Sequence, residues 1–377
     1  MEAVRPPQTS ALTFAARRRA VEHRRLPPSA KTAIRQRPPK PGRAGMMNLY
    51  AVKSGGLQKL EPQNEPAAGR LSHAAWVDLH APTSEEEAAV EQALGVDIPT
   101  REEMREIEES SRIYGEKGGL FMTGVVIAGI AERRPVRSEV MFVVLPKHFV
   151  TVRYADPLPF QTFQQKCARK PEDHQSSDLL FVSLVEQIVQ RAADVLEKVT
   201  ADLDGVAGEL FDEKRGAATD KELKRHRIDL QGIVRQLGRS SGLLTKLSES
   251  LLSFNRVLSF FRQSAEPWLR DDAKAKAQSV ERDIASLTEY GANLTAQIGH
   301  LQNATFNLIN IEQSRIIKVF SIAAVLFLPP TLVATSYGMN FKFMPELNWL
   351  FGYPFALVLM VLSAVAPFYW FKRNGWL

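Results

Sequence analysis

The chain has 377 residues and a formal charge of +6, a length that suits two or three domains. Residues 1–47 hold eleven Lys/Arg against two Glu, a charge of +9, which leaves −3 on the remainder. A mildly acidic body argues against nucleic acid as the partner. Cys167 stands alone, which excludes a disulfide framework and any Cys-x-x-Cys zinc or redox pair.

The seven histidines, at 23, 73, 80, 148, 174, 226 and 300, are scattered. None forms an H-E-x-x-H motif or a helical pair, so each reads as a surface or packing residue rather than a metal ligand. There is no G-x-S-x-G, no P-loop and no G-x-G-x-x-G. Catalysis therefore has no candidate, and the chain reads as a non-enzyme.

Residues 1–47 are Pro- and Arg-rich with almost no apolar periodicity, and are expected to be disordered. Two readings stand for them: a basic tail, or an overlong start with translation beginning at Met46 or Met47. From residue 48 the pattern is that of a small α+β unit. Short apolar runs predict strands at Ala75–Leu79, Leu120–Ile130, Val140–Leu145 and Phe149–Tyr154. Ser84-x-x-Glu87 and Thr100-x-x-Glu103 each have the form of a capping box opening a helix. The acidic runs 85–87 and 102–103 suit first turns, where they offset the helix dipole.

From about Ser177 long helices take over. Residues 177–213 and 220–262 each carry an apolar stripe, and Gly216 and Pro267 mark the breaks. A third helix follows. Val280, Ile284, Leu287, Gly291, Leu294, Ile298, Leu301, Thr305 and Leu308 repeat at four-three spacing, a heptad seam. Nothing breaks this helix before Pro329, so it is expected to run from about Asp271 into the next apolar segment. At 1.5 Å per residue, sixty-odd residues span roughly 90–100 Å. The seam predicts a stalk that packs either on copies of itself or on the two preceding helices.

Val319–Tyr337 and Trp349–Phe371 are apolar runs long enough to cross about 30 Å of hydrocarbon. Only about eleven residues part them, so they form a hairpin. Arg315 and Lys318 precede the first run and Lys372 and Arg373 follow the second, while Lys342 and Glu346 cancel in the turn. The positive-inside rule then puts both termini in the cytoplasm. Two spans cannot enclose a pore, so a transporter would have to be an oligomer. Counting back in helical steps from Asn340, one face of the first span carries Thr331, Leu328, Ala324, Phe320 and Ile317. That face is a hydroxyl below an amide, then a mostly apolar tube that could close by dewetting. The same residues would equally serve a plain membrane anchor.

The chain resembles the CorA magnesium-transporter family, whose signature is Gly-Met-Asn at the end of the first of two C-terminal spans. The residues that carry the resemblance are Phe327-Leu328-Pro329-Pro330-Thr331-Leu332, Tyr337-Gly338-Met339-Asn340-Phe341 and Phe343-Met344-Pro345-Glu346-Leu347. Phe351-Gly352-Tyr353-Pro354 and Phe371-Lys372-Arg373 continue it, and Arg101–Met104 with Ser110–Arg112 extends it toward the N-terminus. It covers about residues 48–377.

The resemblance implies a funnel-shaped homopentamer in the inner membrane. Its α+β cytoplasmic domain would be followed by a long stalk helix and two C-terminal transmembrane helices. The implied segments are 48–267 for the cytoplasmic body and 268–318 for the stalk. The spans would be 319–337 and 349–371, with 338–348 the outer loop and 372–377 an inner tail. The implied cargo is Mg²⁺, with Co²⁺ and Ni²⁺, and the implied mouth is Gly338, Met339 and Asn340, with Glu346 just outside. Cytoplasmic Mg²⁺ bound between subunits would close the gate. For that regulatory site Asp202, Asp204, Glu209, Asp212 and Asp283 are candidates by composition alone. A zinc-transporting member of the same superfamily and a non-conducting, membrane-anchored coiled-coil sensor are the competing readings.

Overall fold

The computed structural model describes residues 45–53, 56–60, 67–106, 108, 112–169, 174–211, 229–264, 266–339, 344–345 and 349–374. The chain divides into two compact units. The first takes in the described residues up to Gly208 together with Arg235–Ile298, and the second takes Glu209–Val234 and Gly299–Leu377.

A seven-stranded sheet forms the centre of the first unit. Its strands are β1 (Met46–Lys53), β2 (Gly56–Lys59), β3 (Trp76–His80), β4 (Ile113–Glu116), β5 (Gly119–Ala128), β6 (Val136–Val144) and β7 (Phe149–Arg153), in the order β2-β1-β3-β7-β6-β5-β4. Every pairing is antiparallel except β3 with β7, where Trp76 stands opposite Phe149. Both faces are covered. This is why β3, β7 and much of β5 and β6 read as continuous apolar runs rather than alternating ones.

Side-chain parity sorts the two faces. Val77, Leu79, Met141, Val143, Val150 and Val152 point one way, with Leu71 of α1 (Ala67–His73) and Val90 of α2 (Ser84–Leu94) in the same cluster. Trp76, Phe142 and Phe149 point the other way, toward α3 (Leu158–Arg169), α4 (Ser177–Phe211) and α5 (Leu230–Gln263). There Phe142 meets Phe181 edge-on at 5.7 Å and Phe254 at 5.9 Å. Trp76 meets Phe163 edge-on at 5.3 Å. Such pairs add about 0.5–1.5 kcal/mol each beyond their buried area.

Polar groups inside this layer are joined. Asp78 takes two bonds from the Arg153 guanidinium, at 3.0 and 2.9 Å, and a third from the Thr151 hydroxyl at 2.8 Å. Thr151 in turn accepts from the Trp76 indole at 3.1 Å. β4 stops opposite Met122, which leaves the Val125 backbone without a strand partner on that side. Two serines of α5 replace it: the Val125 N–H donates to Ser253 Oγ, and Ser250 Oγ donates to the Val125 carbonyl.

The long helix α6 (Asp271–Tyr337) has 67 residues, about 100 Å at 1.5 Å per residue. Its first part belongs to the first unit and the rest to the second. The foot is tied to α4 and α5. Asp178, buried at the start of α4, accepts from the Leu179 and Arg270 backbone N–H groups. Lys276 donates to Ser183 at 2.9 Å, and Glu281 holds Arg262 at 3.0 Å and the Ser259 hydroxyl at 2.8 Å. The seam then lies inward: Val280, Ile284, Gly291, Leu294, Ile298, Leu301 and Thr305 are buried within one chain. At Gly291 an added Cβ would sit 3.9 Å from Leu196 of α4. Of the two partners the spacing allowed, the preceding helices of the same chain hold the seam.

Several sequence expectations shift. The capping box of α2 is Thr83 with Glu86, one residue before the expected pair. The run of three glutamates fits both registers, and Glu87 is buried instead. Thr100 and Glu103 do bond each other reciprocally, yet they open only a 3-10 turn, Glu103–Arg105, and no longer helix. Residues 107 and 109–111, just beyond that turn, lie outside the described residues. Strands β1, β2 and β4 and helices α1 and α3 were not anticipated. Strand β5 ends at Ala128, before the Gly129 turn, rather than at Ile130. Gly216 and the expected helical residues 220–228 fall outside the described residues, and α5 begins at Leu230.

Candidate functional site

The C-terminal part of α6 and helix α7 (Gly352–Arg373) are both long and apolar enough to cross a membrane. Neither is buried by the chain itself: the most apolar window of α6 is 0% buried and that of α7 is 11% buried. Apolar helices left this bare need another apolar medium around them.

The exposure of α6 is patterned. Half-buried positions follow one stripe: Ile322, Ala323, Leu326, Pro329, Pro330, Val333 and Tyr337. Ile317, Phe320, Ala324, Leu328 and Thr331 are all exposed, with Phe320 at 72% and Leu328 at 69%. At 3.6 residues per turn the two sets centre about 160° apart. The face expected to line a pore is thus the one the chain leaves uncovered. On α7 the shielded positions are Gly352 and Ala356, four apart, a spacing of small residues that suits close helix packing.

Thr331 sits one turn beyond Phe327, and its hydroxyl donates to the Phe327 carbonyl at 2.7 Å. Thr335 donates likewise to the Thr331 carbonyl. With their protons spent on the helix, both oxygens present lone pairs outward. A hydrated cation turns its water hydrogens outward, so acceptors are the groups its shell needs.

The helix closes at Tyr337. The Gly338 N–H still bonds the Ala334 carbonyl at 2.9 Å, and Met339, 48% exposed, follows. The φ of Gly338 is not in the left-handed region, so its backbone conformation is one any residue can adopt. A Cβ there would lie 3.3 Å from the Ala334 carbonyl oxygen, slightly tight, and 3.6 Å from that of Thr335, an ordinary contact. Asn340 and Glu346 lie outside the described residues.

The face expected from the sequence ends at Ile317. Continuing the same four-three steps toward the N-terminus gives Gln313, Asn310, Phe306 and Asn303, all exposed. Three of the four are neutral amides, and the stripe carries no charge. The apolar seam on the opposite face is the stronger periodic signal there, although the spacing alone would have reached these amides.

Among the described residues no three His, Cys, Asp or Glu side chains gather to hold a metal. Asp202, Asp204, Glu209 and Asp283 are exposed on helices, and Asp212 lies outside the described residues. Among the described residues, Asp202, Asp204, Glu209 and Asp283 do not gather into such a group. Cys167 is buried, and burial pushes its thiol up to about 12, which leaves it inert.

A family model described as "CorA-like Mg2+ transporter protein" matches residues 72–373. The magnesium transport protein CorA of Sodalis glossinidius is 33% identical over 332 residues, which is 88% of this chain and all of the relative. That of Escherichia coli K12 is 32% identical over the same lengths. Among solved structures, the CorA magnesium transporter of Methanocaldococcus jannaschii superposes with a TM-score of 0.65 at 16% identity. It covers 90% of this chain and 100% of its own. At that identity the superposition speaks for the fold, and it agrees with an α+β N-terminal body followed by long helices of which two are apolar. The sequence matches speak for descent, and by them the chain belongs to the CorA-like Mg²⁺ transporter family.

Proposed function

We propose that the protein is a channel-like transporter that carries Mg²⁺ into the cell, with Co²⁺ and Ni²⁺ as further cargo. The observation that carries this reading is that α6 ends at Tyr337, with Gly338 and Met339 directly after it and an exposed helix face before it; Asn340 is the next residue in the sequence. The family's magnesium transport proteins, matched along their whole length, support it.

The proposed unit is an oligomer in the inner membrane, because two apolar helices per chain cannot surround a path, and the resemblance to the family makes it a homopentamer. Residues 319–337 and 349–371 would cross the bilayer, with 338–348 outside. Residues 48–267, the stalk 268–318 and the tail 372–377 would lie in the cytoplasm. Arg315, Lys318, Lys372 and Arg373 mark the inner edge.

Mg²⁺ needs near-octahedral oxygen and gives up its water reluctantly. A ring of Asn340 amides would accept from the ion's water shell without stripping it, and Thr331 would repeat the contact below. A ring of neutral acceptors binds weakly enough to release the ion. Glu346, just outside, would raise the local cation concentration. Leu328, Ala324, Phe320 and Ile317 would form the stretch that closes by dewetting. Below them Gln313, Asn310 and Asn303 would again meet the ion with amides. Two charges moving down the membrane potential gain about 4.6 kcal/mol per 100 mV, so no ATP is required. Closure by cytoplasmic Mg²⁺ would need ligands from more than one copy.

The test is Asn340→Ala in reconstituted vesicles. Mg²⁺ uptake is expected to fall to background while the assembly keeps its size. Uptake at the parental rate would overturn the assignment of the mouth.

A further inference from the structure

Helices α3 and α4 are joined by Lys166 to Glu186, at 2.9 Å, and by Gln187 to the Thr162 hydroxyl. Beside these links they leave a groove of about 510 Å³. Its cations are Lys166, Arg169 and Arg191, and Asp194 is the acid among its lining residues. Arg191 reaches Asp194 only at 3.4 Å. Among the described residues Arg169 has no carboxylate partner. The Gln187 Oε1 atom is buried and accepts no hydrogen bond.

We propose that this groove binds an organic phosphate, a phosphorylated and hydroxyl-bearing metabolite such as a nucleotide or a sugar phosphate. Two guanidinium forks and an ammonium are the donors that phosphate oxygens take best. Gln165 and Gln190 offer amides to a ligand's hydroxyls, and Leu158 and Pro159 an apolar wall. The volume lies within the range of small-molecule sites, about 300–1,000 Å³, and exceeds what one inorganic phosphate fills.

The site has a second connection. Glu186 also lies 3.6 Å from Lys276 on α6, and Lys276 donates to Ser183. Burial works to raise the Glu186 carboxyl, but Lys166 and Lys276 together outweigh it and hold it below the usual carboxylate value. A phosphate that draws Lys166 away leaves Glu186 to Lys276 alone. Occupancy is then felt at the foot of the long helix. None of this depends on which ion the protein carries.

The experiment is calorimetric titration of the full-length protein in detergent, in Mg²⁺-free buffer at one ionic strength. The probes are inorganic phosphate, ribose 5-phosphate and adenosine triphosphate. Saturable binding of at least one organic phosphate is expected, about tenfold or more tighter than inorganic phosphate. Which of the two binds distinguishes sugar phosphate from nucleotide. Arg169→Gln with Arg191→Gln is expected to weaken it at least about tenfold. Lys198→Gln, an exposed charge on α4 outside the groove, is expected to bind as the parent does. Glu186→Gln frees Lys166 and is expected to bind several-fold tighter, a direction that loss of fold cannot imitate. The proposal is overturned if no organic phosphate saturates, or if inorganic phosphate binds as tightly. It is equally overturned if the double variant matches the parent, if Lys198→Gln weakens binding as much, or if Glu186→Gln binds no tighter.

Discussion

Arg153 holds a full charge inside the sheet's helical layer, with only 5% of its surface exposed. Burial works against that charge, and Asp78 and Asp156 more than offset it, so the guanidinium pKa rises. The pair ties the only parallel junction of the sheet, between β3 and β7. Arg153→Met removes the cation and leaves Asp78 buried without it, a change that costs about 3–5 kcal/mol. A double variant, Asp78→Leu with Arg153→Met, removes both charges and is expected to recover much of that loss. Thermal unfolding of the three proteins checks the order; a single variant that melts with the parent would show that the pair adds nothing. The sequence did not announce this pair. Asp78 read as one polar residue in an apolar strand, and its partner lies 75 residues away on a strand whose pairing no local pattern encodes. The Thr83 box and the Thr100–Glu103 bonds were readable to within a residue, because capping is local.

At the scale of elements, periodicity served best where one side is buried along many turns. The positions of the α6 seam, read from four-three spacing, are the ones the chain buries. What covers them was not legible, since an apolar seam fits any apolar partner; the polar links of Lys276 and Glu281 to α4 and α5 decide it. Strands β1 and β2 escaped because β1 is buried on both faces around Tyr50, so it shows no alternation, and β2 has four residues. The contact of β5 with α5 is testable. At Gly124 an added Cβ would lie 2.8 Å from Phe254 Cε1 and 3.2 Å from Phe142 Cε2. Both rings are buried against other rings and have nowhere to move. Gly124→Ala is therefore expected to cost about 1–3 kcal/mol and to lower the melting temperature. An unchanged midpoint would mean that α5 rides more loosely on the sheet than these distances state.

At the scale of the whole molecule, one stretch of α6 makes sense only with company. Every residue from Asn310 to Ser321 is exposed, among them Ile311 at 65%, Ile316 at 48% and Val319 at 61%. Arg315 and Lys318 lie in the same stretch, so lipid tails cannot cover all of it. In helical projection Ile311 and Ile316 flank the stripe of Ile317, Gln313 and Asn310 on opposite sides, each about 100–120° from it. A closed ring of like copies needs two different flanks on each chain, one for each neighbour. Under the proposed five-fold assembly the Ile311 flank of one copy would meet the Ile316 flank of the next, with the amide stripe facing the axis. Native mass spectrometry of the full-length protein released from lipid nanodiscs is expected to give the mass of five chains. Ile311→Asp places a carboxylate in each contact and is expected to shift that mass toward single chains, with Mg²⁺ uptake lost in parallel. The variant's α+β body would still melt as in the parent, because Ile311 makes no part of its core. A single-chain species that still carried Mg²⁺ would sink the assembly, and with it the neighbour that covers the bare face of α6.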